Sequence, residues 1–286
     1  MRIDGATRLT GLLGSPVSHS LSPAIHNCAF KRLGLNVRYL NFETGAADFK
    51  AAFDAMKALG ALGFNVTMPC KEEAARYADE LTAEAAITGA VNTVKLENGK
   101  AYGHNTDGRG FVAALEDAGV AYKDKHILIF GAGATARAVG CALAAAGAGG
   151  VSVCGRDAAK AARFCELINA NTDARAAAFG YNYDSLKNET AVSDILVNCT
   201  SLGTPPHTGL SPLPHPELFL PRHTVLDVAY GEPTQFLLTA AAAGCRTLDG
   251  SGMLLYQAAL AFHIWTGMEM PVAYVRKRVF PRAIDN

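Results

Sequence analysis

His126-Ile127-Leu128-Ile129-Phe130-Gly131-Ala132-Gly133-Ala134-Thr135-Ala136 reads as a strand running straight into a G-x-G-x-x-A string and then into a helical pattern ending at Gly147. Strand, glycine turn and helix in that order are what a dinucleotide site in a β-α-β unit requires. Gly131 permits the tight turn, Gly133 lets the backbone approach a pyrophosphate, and Ala136 lets helix and strand pack closely. The helix N-terminus then presents unpaired N–H groups to the anion. A helix packed on a sheet through small residues would carry the same glycines, so the string takes its meaning from its surroundings. Apolar runs at 151–154, 195–198 and 225–228, with helical patterns between them, predict a parallel series of strands around it.

The same alternation fills the first half of the chain. Residues 9–13, 38–42 and 63–67 predict strands. Residues 22–33 and 48–59 predict helices, the first opened by Ser22 as N-cap with Pro23 behind it and closed by Gly34. Residues 93–96 and 101–104 pair as a hairpin through Glu97-Asn98-Gly99, because Asn-Gly favours a tight turn. A helix over roughly 108–118 follows, which places a domain boundary within 107–122. Six prolines from Pro205 to Pro221 exclude a helix or a central strand and predict a surface loop.

The bulk composition narrows the function classes. At 286 residues the chain is long enough for two domains, and with 50% apolar and 18% charged residues it has the makings of ordinary cores. Lys and Arg number 26, as do Asp and Glu, so no overall field draws in nucleic acid or an anionic membrane. The seven cysteines are scattered without a C-x-x-C pair, which predicts buried thiols in a reducing compartment and no metal site. No basic segment with an apolar core opens the sequence, and the apolar stretch at 254–265 is too short to span a bilayer; the expected location is cytoplasmic. No pattern decides the oligomeric state, and a homodimer stays open.

The 2′ position of a bound dinucleotide is read at the end of the second strand of such a unit, here Cys154-Gly155-Arg156-Asp157 with Lys160 after it. Arg156 and Lys160 favour the 2′-phosphate of NADP, whereas Asp157 at the ribose favours NAD. Asp157 also suits the N-cap of a helix starting near Ala158. NADP is the expected cofactor, with NAD open.

Polar residues gather at loop ends of the first half. Ser18-His19-Ser20-Leu21-Ser22-Pro23 places hydroxyls where a strand gives way to a helix, able to hold a carboxylate without adding charge, although Ser22 is equally an N-cap. Asn65-Val66-Thr67-Met68-Pro69-Cys70-Lys71-Glu72 runs off a strand into a turn, where site residues of parallel sheets gather. Asn92 and Asp107 stand on loops too, where each could be an ordinary turn former. Their joint occurrence with the dinucleotide string is the informative feature.

Four strings, His19-Ser20-Leu21-Ser22-Pro23, Asn65-Val66-Thr67-Met68-Pro69 with Lys71-Glu72, Gly89-Ala90-Val91-Asn92-Thr93 and Asn105-Thr106-Asp107-Gly108, together resemble the shikimate dehydrogenase family, including its shikimate/quinate branch. The likeness continues through Gly131-Ala132-Gly133, Asn198-Cys199-Thr200, the stretch from Asp227 to Tyr230, and Asp249-Gly250-Ser251-Gly252-Met253-Leu254-Leu255-Tyr256-Gln257. The resemblance implies an α/β fold: a substrate-binding and catalytic domain with a mostly parallel sheet over 1–108, a Rossmann domain over 109–250, and C-terminal helices over 251–286 that return to the first domain. It implies reversible hydride transfer between shikimate and a nicotinamide cofactor, in the pathway to aromatic amino acids.

By the same resemblance Lys71 and Asp107 are catalytic. Ser20 and Ser22 bind the substrate carboxylate, and Thr67, Asn92, Asp107 and Gln257 bind ring hydroxyls. Tyr230 and Met253 lie near the nicotinamide, Tyr230 also toward the substrate. Gly131, Ala132, Gly133, Ala134 and Thr135, with Arg156, Asp157, Lys160, Thr200 and Gly250, serve the cofactor. Relatives that strongly prefer NADP carry Asn-Arg-Thr where this chain has Gly155-Arg156-Asp157.

Oxidation of a secondary alcohol requires the hydroxyl proton to leave with the hydride, so a base must stand within hydrogen-bonding reach of that oxygen. Lys71 is the candidate, and with Asp107 beside it the two form one coupled unit. The alternatives are a quinate/shikimate dehydrogenase that tolerates NAD, and a module that senses nucleotide and polyol acid without turnover.

Overall fold

β1 (Arg8–Gly14) shows how the first sheet is built. Side chains of a strand alternate between faces, so Leu12 enters the apolar cluster on one side and Leu13 the cluster on the other. The computed structural model describes residues 3–280. After β1 come α1 (Ser22–Arg32), β2 (Val37–Glu43), α2 (Phe49–Ala58), β3 (Gly63–Val66), α3 (Lys71–Tyr77), β4 (Glu80–Leu81), α4 (Ala83–Thr88), β5 (Thr93–Glu97), β6 (Lys100–His104) and α5 (Asp107–Asp117). The strands form one six-stranded sheet in the order β2-β1-β3-β5-β6-β4. Only β5 runs against the rest, since it pairs antiparallel with both β3 and β6.

Two of these elements follow directly from local chemistry, and one departs from the expectation. The hairpin of β5 and β6 closes with Glu97 opposite Lys100, leaving Asn98 and Gly99 as a two-residue turn at φ 51° and 75°. At α4 the side chain of Thr82 caps the Ala85 N–H. At α1, however, Ser22 is not the N-cap: it is the first helical residue, and Leu21 precedes it without a side-chain cap. The Ser22 N–H instead donates to Ser20 Oγ at 3.2 Å. With the proline at the second helical position, the helix starts one residue earlier than Ser22 would have it as a cap.

Further along lie β7 (His126–Phe130), α6 (Ala134–Ala145), β8 (Gly150–Cys154), α7 (Ala158–Asn171), β9 (Arg175–Phe179), α8 (Tyr183–Val192), β10 (Ile195–Asn198), β11 (Thr224–Asp227), α9 (Gln235–Ala242) and β12 (Arg246–Leu248). Their strands make a second sheet, all parallel, in the order β9-β8-β7-β10-β11-β12. That is the doubly wound order 3-2-1-4-5-6, and its switch point falls between β7 and β10. The chain ends with α10 (Ser251–Thr266) and α11 (Val272–Val279).

By its contacts the chain divides into two compact units, Met1–Gly110 with Leu254–Asn286, and Phe111–Met253. Each sheet is covered on both faces. In the first unit α1, α10 and α11 supply one cluster, with Ile25, Phe30, Phe262 and Val275, and α2 and α3 supply the other, with Phe49, Phe53 and Ala74. Each buried phenylalanine contributes roughly 1.5–3 kcal/mol. Trp265 ties α10 to the sheet, its indole N–H donating to the Val94 carbonyl at 2.9 Å.

The proline-rich stretch is less superficial than expected. It holds a 3₁₀ turn at Pro216–Leu218, and Leu213, Leu218 and Phe219 are buried against Phe236 and Leu237. Proline forbids the helix and the strand but not the insertion of apolar side chains between them. All seven cysteines are free thiols, four of them buried. Among the described residues no helix is long and apolar enough to cross a membrane.

Candidate active site

Lys71 and Asp107 meet although they lie 36 positions apart, with Lys71 Nζ 2.6 Å from Asp107 Oδ2. Three chain ends bring them together. β3 stops at Val66, the chain turns through Thr67 and Pro69, and Lys71 opens α3. The Val91 N–H donates to the Lys71 carbonyl at 2.9 Å, which lays the segment before β5 alongside. α5 starts at Asp107, whose own N–H is capped by Asn105 Oδ1 at 3.1 Å. Both side chains are largely withdrawn from solvent, Lys71 13% and Asp107 8% exposed.

Asn92 completes the cluster. Its Nδ2 donates to Asp107 Oδ1 at 2.7 Å and to Thr106 Oγ1 at 2.9 Å, and its Oδ1 accepts from the Thr106 N–H at 2.8 Å. The carboxylate thus takes a neutral donor on one oxygen and the ammonium on the other. Such charge-assisted bonds hold both groups in one geometry and leave the lysine directed by a fixed anion.

The other expected residues of this unit occupy the same end of the sheet. β1 and β3 are parallel neighbours, and Ser15 N–H donates to the Met68 carbonyl at 2.9 Å, so the connections after both strands leave together. One carries Ser20 and Ser22, the other Thr67 and Lys71. Ser22 is buried and Ser20 partly exposed. Gln257 arrives from α10, whose backbone rests on Gly110, one turn beyond Asp107 on α5. A Cβ at Gly110 would lie 2.6 Å from the Gln257 nitrogen, so only glycine permits this approach. The Gln257 amide donates to the Leu254 carbonyl at 2.9 Å.

The second unit carries a separate constellation at the carboxyl ends of its strands, where a doubly wound sheet binds its ligand. Gly131 follows β7 at φ 108° and lies beside Cys199 and Thr200 at the end of β10. Gly133 is the N-cap of α6 and supplies no side-chain cap, and no acidic residue stands in the first helical turn. That helix start therefore meets no carboxylate of its own, which fits a pyrophosphate. Arg156 and Lys160 are exposed beyond β8, the strand beside β7. Asp157 caps α7, its Oδ1 accepting the Lys160 N–H at 3.0 Å, as the capping reading of the sequence had it. These residues suit a phosphorylated dinucleotide.

Buried bonds hold the remaining loops in place. Asp227 Oδ2 accepts from Asn198 Nδ2 at 2.9 Å and Thr234 Oγ1 at 2.7 Å, while Asn198 Oδ1 accepts from the Thr200 N–H at 2.9 Å. Burial pushes the Asp227 carboxyl above its usual range despite these donors. The Gly250 N–H donates to the Ala229 carbonyl at 2.7 Å, joining the start of α10 to the loop of Tyr230. Met253 is buried in the core of this unit. Among the described residues no cluster of His, Cys, Asp or Glu is arranged for a metal ion.

Asn65, Thr93 and Thr106 received no role from the sequence, yet they are bonded into the cluster around Asn92. The signal was available for Asn65, since an asparagine in a wholly buried four-residue strand must find hydrogen-bond partners.

Comparison with known proteins agrees in extent with the two constellations. A family model described as the shikimate dehydrogenase substrate binding domain matches residues 12–94, one described as shikimate / quinate 5-dehydrogenase matches 113–207, and one described as the shikimate 5'-dehydrogenase C-terminal domain matches 250–280. The shikimate dehydrogenase (NADP(+)) of Alkaliphilus metalliredigens is 42% identical over 283 residues, covering 98% of this chain and 99% of its own length. The solved shikimate 5-dehydrogenase of Listeria monocytogenes, in complex with shikimate and NAD, superimposes with a TM-score of 0.90 at 40% identity over 98% of this chain and 99% of its own. The quinate dehydrogenase of Corynebacterium glutamicum in complex with NAD gives 0.86 at 32% identity, covering 95% of this chain and 98% of its own.

Proposed function

This chain belongs to the shikimate dehydrogenase family, and from that premise we propose that Lys71 and Asp107 are the proton-handling pair of an NADP-dependent shikimate dehydrogenase. The chain is an oxidoreductase of the shikimate pathway, interconverting shikimate and 3-dehydroshikimate. Bound NADP would supply the hydride acceptor for one direction and, in its reduced form, the hydride donor for the other.

The chain's own residues do the rest. Ser20 and Ser22, at the head of α1, bind the substrate carboxylate with neutral donors. Thr67, Asn92 and Gln257 bind ring hydroxyls and orient the ring. Lys71 stands beside the reacting hydroxyl and takes its proton as the carbinol is oxidised, and Asp107 holds the lysine in place and shares the proton change as one unit. Gly131 through Thr135 hold the pyrophosphate, Arg156 and Lys160 the 2′-phosphate, and Thr200, Tyr230, Gly250 and Met253 line the nicotinamide end. Asp157 tempers the preference for phosphate, since its carboxylate adds a negative charge to the same loop. The free thiols fit a cytoplasmic enzyme.

The observation that carries this reading is the withdrawn 2.6 Å ion pair at the mouth of the first sheet, with Asn92 bonded to it. Steady-state turnover with shikimate and quinate, each against NADP and NAD, tests it, the highest kcat/KM being expected for shikimate with NADP. Quinate turnover with NAD is the second reading, favoured by Asp157 and by the likeness to the quinate dehydrogenase. Lys71→Ala is expected to lower kcat by about 10²–10⁴-fold. An unchanged kcat in that variant overturns the assignment.

A further inference from the structure

The pair is backed by a chain of buried polar side chains whose direction is set by two backbone groups. The Thr106 N–H can only donate, so the atom of Asn92 that faces it at 2.8 Å is Oδ1, and Asn92 Nδ2 must turn to Asp107. The Asn92 carbonyl can only accept, so the atom of Asn65 that faces it at 3.0 Å is Nδ2. Asn65 Nδ2 therefore also donates to Thr93 Oγ1 at 2.9 Å, and Thr93 donates to Asn92 Oδ1 at 3.0 Å, the shorter of its hydroxyl's two contacts beyond Asn65, the other being Thr106 Oγ1 at 3.3 Å. Asn65 Oδ1, left as an acceptor, takes the Tyr39 hydroxyl proton at 2.8 Å. Every donor points the same way, from Tyr39 through Asn65, Thr93 and Asn92 to Asp107 Oδ1.

We propose that Thr93 and Asn65 are positioning residues for the reaction, acting through this hydrogen-bond chain to fix Asn92 and hold the Asp107 carboxylate turned toward Lys71. The proposal rests on the assignment of Lys71 and Asp107 above. Thr93 is 0% exposed and Asn65 5%, and the side-chain bonds of both go to buried groups of the protein. The far end is rigid as well: Tyr39 is fully buried, and the His26 ring stacks on it at 4.5 Å and 9°. Aligned bonds of this kind polarise one another, so losing one weakens the last donor as well as the missing link. Of the groups bonded to Asp107, Lys71 carries the charge, while Asn92 and Asn105 are neutral.

Thr93→Val keeps the shape and removes the relay. The expected result is a kcat lower by about 3–30-fold with KM for shikimate within about twofold. Thr93→Ser restores kcat. Tyr39→Phe, which cuts the chain at its origin, lowers kcat by less with KM again unchanged, and serves should Thr93→Val not fold. A lower melting temperature with kcat unchanged in both variants shows a structural role only and overturns the proposal. That outcome is separable from failure of the underlying assignment, which Lys71→Ala reports by itself.

Discussion

His26 is a fully buried imidazole with neither ring nitrogen hydrogen-bonded among the described residues, enclosed by Phe30, Tyr39 and Trp265. Burial lowers its pKa to about 3. The folded state therefore keeps it neutral while the unfolded chain takes up a proton below pH 6.5. Stability from this residue is complete above that value and falls as the pH drops toward 3, by about 1.4 kcal/mol per unit. Denaturant titrations between pH 7 and 5 should show His26→Leu with a shallower loss than the parent protein. Equal slopes would mean that His26 does not titrate on unfolding. A histidine in an apolar helix pattern gives no sign of this in sequence, because its isolation depends on Tyr39 and Trp265, 13 and 239 positions away. Lys71 and Asp107 were legible, but only because their loops belong to a set of four strings that occur together.

Among the elements, α5 and α10 illustrate what patterns reach and what they miss. The helix after Asp107 was read from the pattern of the residues, and the helices after Gly250 followed from the family resemblance. Their close crossing at Gly110 and Gln257 was not, since it depends on a missing side chain meeting a backbone 147 positions away. Gly110→Ala places a methyl group against that backbone and is expected to destabilise the protein by about 1–3 kcal/mol. Displacing Gln257 should raise KM for shikimate several-fold more than KM for NADP, and steady-state kinetics with each reactant varied in turn decides this. An equal rise in both constants would remove Gln257 from the shikimate site. Turn chemistry was read well at Asn98-Gly99, where the two positive φ angles are local requirements. It was read less well at Ser22, where the choice between cap and first helical residue turns on a single peptide, and at 205–221, where buried leucines lie within a run of prolines.

For the whole molecule, two sheets with ligand-bearing ends predict separable binding footprints. Hydrogen exchange of the full chain with NADP alone should slow at 131–137 and 198–200, and with shikimate alone at 65–71 and 92–107. At a ligand concentration of about 100 times Kd the protection should approach 100-fold for amides that exchange by global opening. NADP protection confined to residues before 110 would overturn the division of roles. The sequence alone determined the α/β class, five strands of the first sheet and four of the second, missing β4, β9 and β12, and the glycine turn after β7, because each depends on residues within a few positions of one another: period-two and period-3.6 patterns, Gly131 and Gly133, Asn98-Gly99. Only the tertiary structure decided that Lys71 meets Asp107 at 2.6 Å, that Asp157 caps α7 and that Tyr39, Asn65 and Thr93 stand in line behind the pair. Strand order chooses which chain ends become neighbours, and in a buried hydrogen-bond network the direction of each donor is set by backbone groups brought in from elsewhere in the chain.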